Sequence, residues 1–148
     1  MAMARILLLL ALVSCSGRMV WAGEAVFSKG NVAINGYDAV AYHAELKAVP
    51  GTPAHVQEWR GVVWQFASAA NRDAFALEPQ RYAPQYGGYC AFAASHGALA
   101  STDPHAWTIH SGKLYLNYSD AVRAKWRRNI DEHIARADRN WPRLQQQP

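Results

Sequence analysis

The chain of 148 residues carries two cysteines, and only one of them, Cys90, lies beyond the apolar stretch at its start. A single thiol cannot close an internal disulfide, so whatever folds here must stand on a buried apolar core. Trp59, Trp64, Trp107, Trp126 and Trp141 are the natural material for that core, since each can bury on the order of 200 Å².

The apolar start reads as a targeting signal spanning residues 1–22. Arg5 is the only charge ahead of ILLLLALVS, a run far short of the roughly 20 residues needed to span a bilayer. Two processing signals stand side by side. VWA at Val20–Ala22 fits cleavage before Gly23, and LVSC at Leu12–Cys15 resembles a bacterial lipobox that would make Cys15 a lipid-bearing N-terminus. Either way the expectation is an exported domain, periplasmic or in the cell envelope, that meets the membrane only through a lipid on Cys15. Residues 23–148 then form one domain with a single core.

Charge points to no polyanion. Arg5 and Arg18 leave with the leader, so thirteen of the fifteen Lys and Arg face eleven Asp and Glu, too even a balance to argue for nucleic acid. The basic residues of the C-terminal stretch, from Arg123 to Arg143, read as a solvated helix face.

Along the chain, VFSKGNVAI reads as a hairpin turned at Lys29-Gly30-Asn31, and NGYDAVAYH as an Asn-Gly turn followed by a helical turn. LKAVPGTPA reads as loop. HVQEWRGVVWQFAS predicts a second hairpin with Gly61 near its turn, and Ser68 a cap for a helix that buries Phe75 and stops at Pro79. YCAFAASHG reads as a helix closed by Gly97. After the STDPHAW loop, WTIHSGKLYLNY predicts a third hairpin, and Ser119 opens one long helix limited by Pro142. No internal repeat is visible. Hairpins mixed with helices in this way predict an α+β domain with antiparallel sheet.

Chemistry is sparse. Two readings of Cys90 stand: a small apolar residue packed in the core, or a reactive or metal-binding thiolate in an open first helical turn behind Gly87-Gly88. Cys90 and His96 would point about 120° apart on a regular helix, which cannot aim both at one ion; a metal site at Cys90 and His96 requires the fold to bring them together with His43 or His110. Tyr37, Asp38 and Tyr89 are candidates for binding a ligand, although Asp38 reads first as a helix cap. His133 falls on the apolar stripe of the last helix and reads as a hydrogen-bonded core residue; His110 and His105 read as surface residues, and His55 as the start of a strand. The six histidines make no HxxxH, HExxH or HxH pair, and no GxSxG, phosphate loop or CxxC is present.

WRGVVWQFASAANRDAFALEPQRYAPQYGGY (Trp59 to Tyr89) and NGYDAVAYH resemble the YHS domain, and with DPHAWTIHSGKLYLNYS and ADRNWP the match resembles the exported bacterial members of that family. The resemblance implies a compact α+β domain and a link to metal handling, since related domains are thought to bind metal through cysteines. In this chain those three positions are Ala41, Ala67 and Asn71, none of which suits a soft ion. The sequence therefore leads to a binding module of the cell envelope. It would take a ligand, a partner protein or a transition metal such as copper or zinc. A small redox or enzymatic protein using Cys90 is the alternative.

Overall fold

A computed structural model describes residues 25–147; both processing signals, with Cys15, lie outside the described residues. The architecture is α+β, with one four-stranded and one two-stranded sheet. In chain order, β1 (Ser28–Lys29) and β2 (Val32–Ala33) lead into α1 (Ala39–Ala44). The hairpin β3 (Thr52–Trp59) and β4 (Val62–Phe66) follows, then α2 (Ala69–Leu77) and α3 (Pro79–Tyr82). After α4 (Ala91–Ser95) come β5 (Asp103–His110) and β6 (Lys113–Asn117), and the described chain ends in α5 (Asp120–Arg127) and α6 (Ile130–Leu144).

All three hairpins turn on two residues with positive φ: Gly30-Asn31, Arg60-Gly61 and Ser111-Gly112. Two left-handed residues in a row give the turn whose twist matches that of the flanking strands, which is why glycine recurs there. Ser68 and Ser119 cap α2 and α5, each accepting from the backbone N–H three residues on, Asn71 and Val122.

An internal repeat does exist. Strand β3, its Xaa-Gly turn, β4, the capping serine and the start of α2 recur 51 residues later as β5, its turn, β6, Ser119 and α5. Even the register irregularity recurs, between Thr52 and Val56 and again between Asp103 and Trp107. Upstream, the turn at Ile34–Gly36 and α1 match the turn at Gln85–Gly88 and α4. The packed ring pair Trp64–Phe75 is repeated as Tyr115–Trp126, with centroids 5.0 and 5.1 Å apart.

Strand β6 divides the two cores these units build. Leu114 and Leu116 enter the first, with Tyr42, Trp64, Phe66 and Phe75. Tyr115, on the opposite face of the same strand, enters the second, with Tyr86, Trp126, Ala137 and Leu144. Alternation along a strand sends neighbours to opposite faces, so one strand serves as a wall between cores.

Four expectations are corrected. The strands β3 and β5 begin at Thr52 and Asp103, inside stretches expected as loops. Pro53 and Pro104 are tolerated because both lie at the irregular ends of the ladders. The sheet is not purely antiparallel, since β2 meets β4 in parallel at Val32 and Val63. The single C-terminal helix is two: Asn129, at φ −142°, breaks the axis so that Trp126 and the Ile134–Ala137–Trp141 stripe face the same core. Pro142 lies inside the last turn of α6 rather than beyond it; there its ring forfeits one backbone donor close to the helix end.

Candidate functional site

The residues singled out in sequence are spread through the fold. Asp38 is a cap and more. It is fully buried, and its Oδ1 accepts from the Val40 and Ala41 amides at 2.8 and 3.1 Å. Its Oδ2 accepts from the Ala67 amide and the Asn71 side chain at 2.9 and 2.7 Å. Four donors saturate the carboxylate and leave nothing for a ligand. Three of the four belong to Ala41, Ala67 and Asn71, so the positions that the resemblance sets against thiolates converge on this one side chain. Tyr37 stands edge-on to His105, its hydroxyl 3.4 Å from Nε2.

Cys90, His96 and His43 do not gather. Among the described residues no group of three His, Cys, Asp or Glu could hold a metal ion. Cys90 is the N-cap of α4, which is only five residues long because Cys90 keeps an extended ψ of 118°. Its thiol is 1% exposed and lies 3.6 Å from Asn117 Oδ1. That Oδ1 also takes the Phe92 amide at 3.1 Å. The Cys90 thiol, buried and facing an amide acceptor, packs as a small residue. Gly97 closes the helix as expected: its amide reaches Ala94 O, and the Ala98 amide reaches Ala93 O. His43 packs edge-on to Tyr82, with Nε2 buried and unpartnered; burial first, and nearby Arg81, hold its imidazole below the ordinary range.

His96 sits at the far end of α4, beside Ser95 and His133. Ser95 Oγ lies 3.0 Å from Nδ1 of both histidines and 2.6 Å from Phe92 O. The Phe92 ring packs on both imidazoles, with centroids 4.4 and 5.1 Å away. Desolvation, and then the neighbouring His96, hold His133 below the ordinary histidine range. His133 is thus the hydrogen-bonded residue expected, although only half-buried. His110, expected at the surface, meets Asp131 at 3.2 Å.

A cleft on the described surface has the makings of a ligand site. Its volume is about 450 Å³, within the usual range for small-molecule pockets. Trp59, Tyr86 and Trp141 supply aromatic surface, and Arg60, Gln80 and Asp138 supply charge and amide. The Arg60 guanidinium lies 4.1 Å above the Trp59 ring. The Tyr86 hydroxyl donates to Asp138 Oδ1 at 2.9 Å, and burial and this bond raise its pKa far above the ordinary value. It therefore serves as a fixed donor, not a base.

Tyr86 has φ 56° and Gly87 φ 61°. A left-handed tyrosine costs about 1–2 kcal/mol, and strain of this kind gathers where geometry serves a site. Gly87 cannot change, since a Cβ there would clash with the Ala25 carbonyl oxygen. Tyr89, on the same turn, packs between Phe27 and Trp141 and is the one ligand candidate that borders this region. Sequence reasoning missed the cleft, because it places Trp59 and Trp141 in the core.

No helix among the described residues is long and apolar enough to cross a membrane. No family model, curated protein or solved structure matches the chain.

Proposed function

We propose that this chain is an exported, YHS-like binding module of the bacterial cell envelope, and that it takes a small saccharide unit into the cleft between Trp59 and Trp141. The leader and the resemblance support the setting. The meeting of Ala67 and Asn71 with Asp38 across the fold supports the resemblance, while the Ala41 amide is there because Asp38 caps its helix. The observation that carries the ligand reading is the lining of the cleft. Aromatic rings offer a flat apolar surface for the C–H face of a sugar. Around them stand polar groups suited to hydroxyls: the Asp138 carboxylate held by Tyr86, and the Gln80 and Gln85 amides. A ligand of strong net charge fits less well, since one cation and one carboxylate share the same walls.

The test is a tryptophan-fluorescence titration of the mature chain with glucose, N-acetylglucosamine and its β-1,4-linked dimer. The reading expects a saturating change with at least one sugar, at a dissociation constant below about 1 mM. Trp141→Ala should lose it while keeping the circular dichroism of the parent. Linear, unsaturated responses to all three sugars would reject the saccharide, and an unchanged affinity in Trp141→Ala would reject the cleft.

A further inference from the structure

We infer that the ligand of the Trp59–Trp141 cleft is an oligosaccharide, and that its chain runs past Gln80 into a second cleft formed by residues 77–81. The inference rests on the saccharide reading of the first cleft and adds the length and path of the ligand. The second cleft has a volume of about 430 Å³ and is lined by Leu77, Glu78, Pro79, Gln80 and Arg81. Gln80 lines the first cleft as well, so the two adjoin across one side chain. Two adjoining clefts of nearly equal volume suit a ligand built from a repeated unit.

The chemistry of the first cleft is repeated in the second. Leu77, 84% exposed, and Pro79 offer apolar surface beside an ion pair, Arg81 Nη1 to Glu78 Oε2 at 3.0 Å. A single exposed leucine needs no explanation by itself; here it lines a cleft together with groups that hydrogen-bond hydroxyls. The Arg81 guanidinium is steadied from a second side by the Tyr82 ring, whose centroid is 5.3 Å away. A guanidinium is all donor and a carboxylate all acceptor, so the pair meets both the oxygen and the hydrogen of a sugar hydroxyl. Each cleft thus holds one cation and one carboxylate, Arg60 with Asp138 and Arg81 with Glu78, and the whole path is neutral in balance. That suits an uncharged polyhydroxyl chain and disfavours a charged polymer.

The wall between the clefts is set before any ligand arrives. Pro79 opens α3 and Pro84 follows its end, and each fixes its own φ. The Ala83 amide donates to Pro79 O at 2.8 Å, and the Arg81 amide to Glu78 O at 3.1 Å. A preformed wall lowers the ordering cost of laying a chain along it.

Isothermal titration of the mature chain tests the path, with N-acetylglucosamine and glucose each as the single sugar and as β-1,4-linked oligomers of two to four units. In the series that the first cleft accepts, the expected result is one tetramer per chain, bound at least about tenfold more tightly than the single sugar. Leu77→Asp, which sets a charge against the apolar face of the sugar, should cut that gain to less than about threefold. In the parent chain, the backbone ¹⁵N–¹H signals of Leu77, Glu78 and Arg81 should move more with the tetramer than with the single sugar; this readout needs no variant to fold. An affinity flat from one unit to four, a gain kept in Leu77→Asp, or signals at these three residues that the tetramer leaves in place would each overturn the inference, while a bound single sugar upholds the first cleft. No binding at any length would overturn both.

Discussion

At the start of α1, Asp38 uses one oxygen to take the first free amides of the helix and the other to reach Ala67 and Asn71 in the following segment. At the equivalent start of α4, Cys90 has no side-chain cap, and the task passes to Asn117, reaching back from the end of β6 to the Phe92 amide. The same short helix is thus tied to its hairpin in both units, from opposite ends of the link. The difference lies in how completely each tie is used. A carboxylate is all acceptor and meets four donors; an amide carries its own N–H₂, and that of Asn117 is buried without a partner. Fold repetition therefore survived a complete change of the polar centre, provided that some acceptor reached the same amide.

Substitution at the two centres should separate the units most. Asp38→Ala strands four donors, and at about 1–3 kcal/mol for each buried unpaired group the loss should be at least about 4 kcal/mol in urea unfolding. Asn117→Ala strands mainly the Phe92 amide and relieves one unpaired N–H₂, so about 1–2 kcal/mol is expected. Equal losses would break the comparison. The repeated ring pair comes next: Phe75→Ala and Trp126→Ala should each cost about 3–5 kcal/mol, because both rings are fully buried.

A finer difference lies within that pair. Trp126 Nε1 is buried and unpartnered, so Trp126→Phe removes volume but also an unsatisfied donor, and should cost less than about 1.5 kcal/mol. A larger loss would mean that the indole N–H is satisfied in solution. The smallest effect is a pH slope. His43 in the first unit and His133 in α6 both have lowered imidazole pKa values, so below their ordinary value of about 6.5 the unfolded chain binds more protons than the folded one. Stability should be level above that pH and fall as the pH drops through it toward 5. His43→Gln and His133→Gln should each flatten the slope, and an unchanged slope in both would assign it elsewhere.

The local elements were legible because their signals are local. Glycine-containing pairs marked the turns, Ser68 and Ser119 marked helix starts, and Gly97 marked a helix end. The repeat was not legible. GYDAVAYHA and GYCAFAASH share Gly36/Gly88, Tyr37/Tyr89, Ala39/Ala91 and Ala41/Ala93, but the hairpins that follow share little beyond the turn glycine and the capping serine. The order of large rings is even exchanged, Trp64 with Phe75 against Tyr115 with Trp126. The cleft and the histidine pair join residues far apart in the chain: Trp59 with Trp141, and His96 with His133. No spacing rule links these, and Trp141 and His133 on an apolar stripe read as core. The capping half of Asp38's role, set by the residues next to it, could be placed from sequence; its reach to Ala67 and Asn71 could not.

Two units of nearly the same length, with matching hairpin turns and strand registers, carry a hazard in assembly. A helix from one copy of the chain could settle on the hairpin of another, or on the wrong hairpin of its own. The polar ties act as address labels against this. The Asp38 carboxylate, delivered to the second hairpin, would face the Asn117 carbonyl oxygen across a buried gap. Cys90, delivered to the first hairpin, would leave the Ala67 amide and the Asn71 side chain unanswered. Each mispairing costs buried hydrogen bonds that the native pairing makes, so the unlike caps bias each helix toward its own partner during folding.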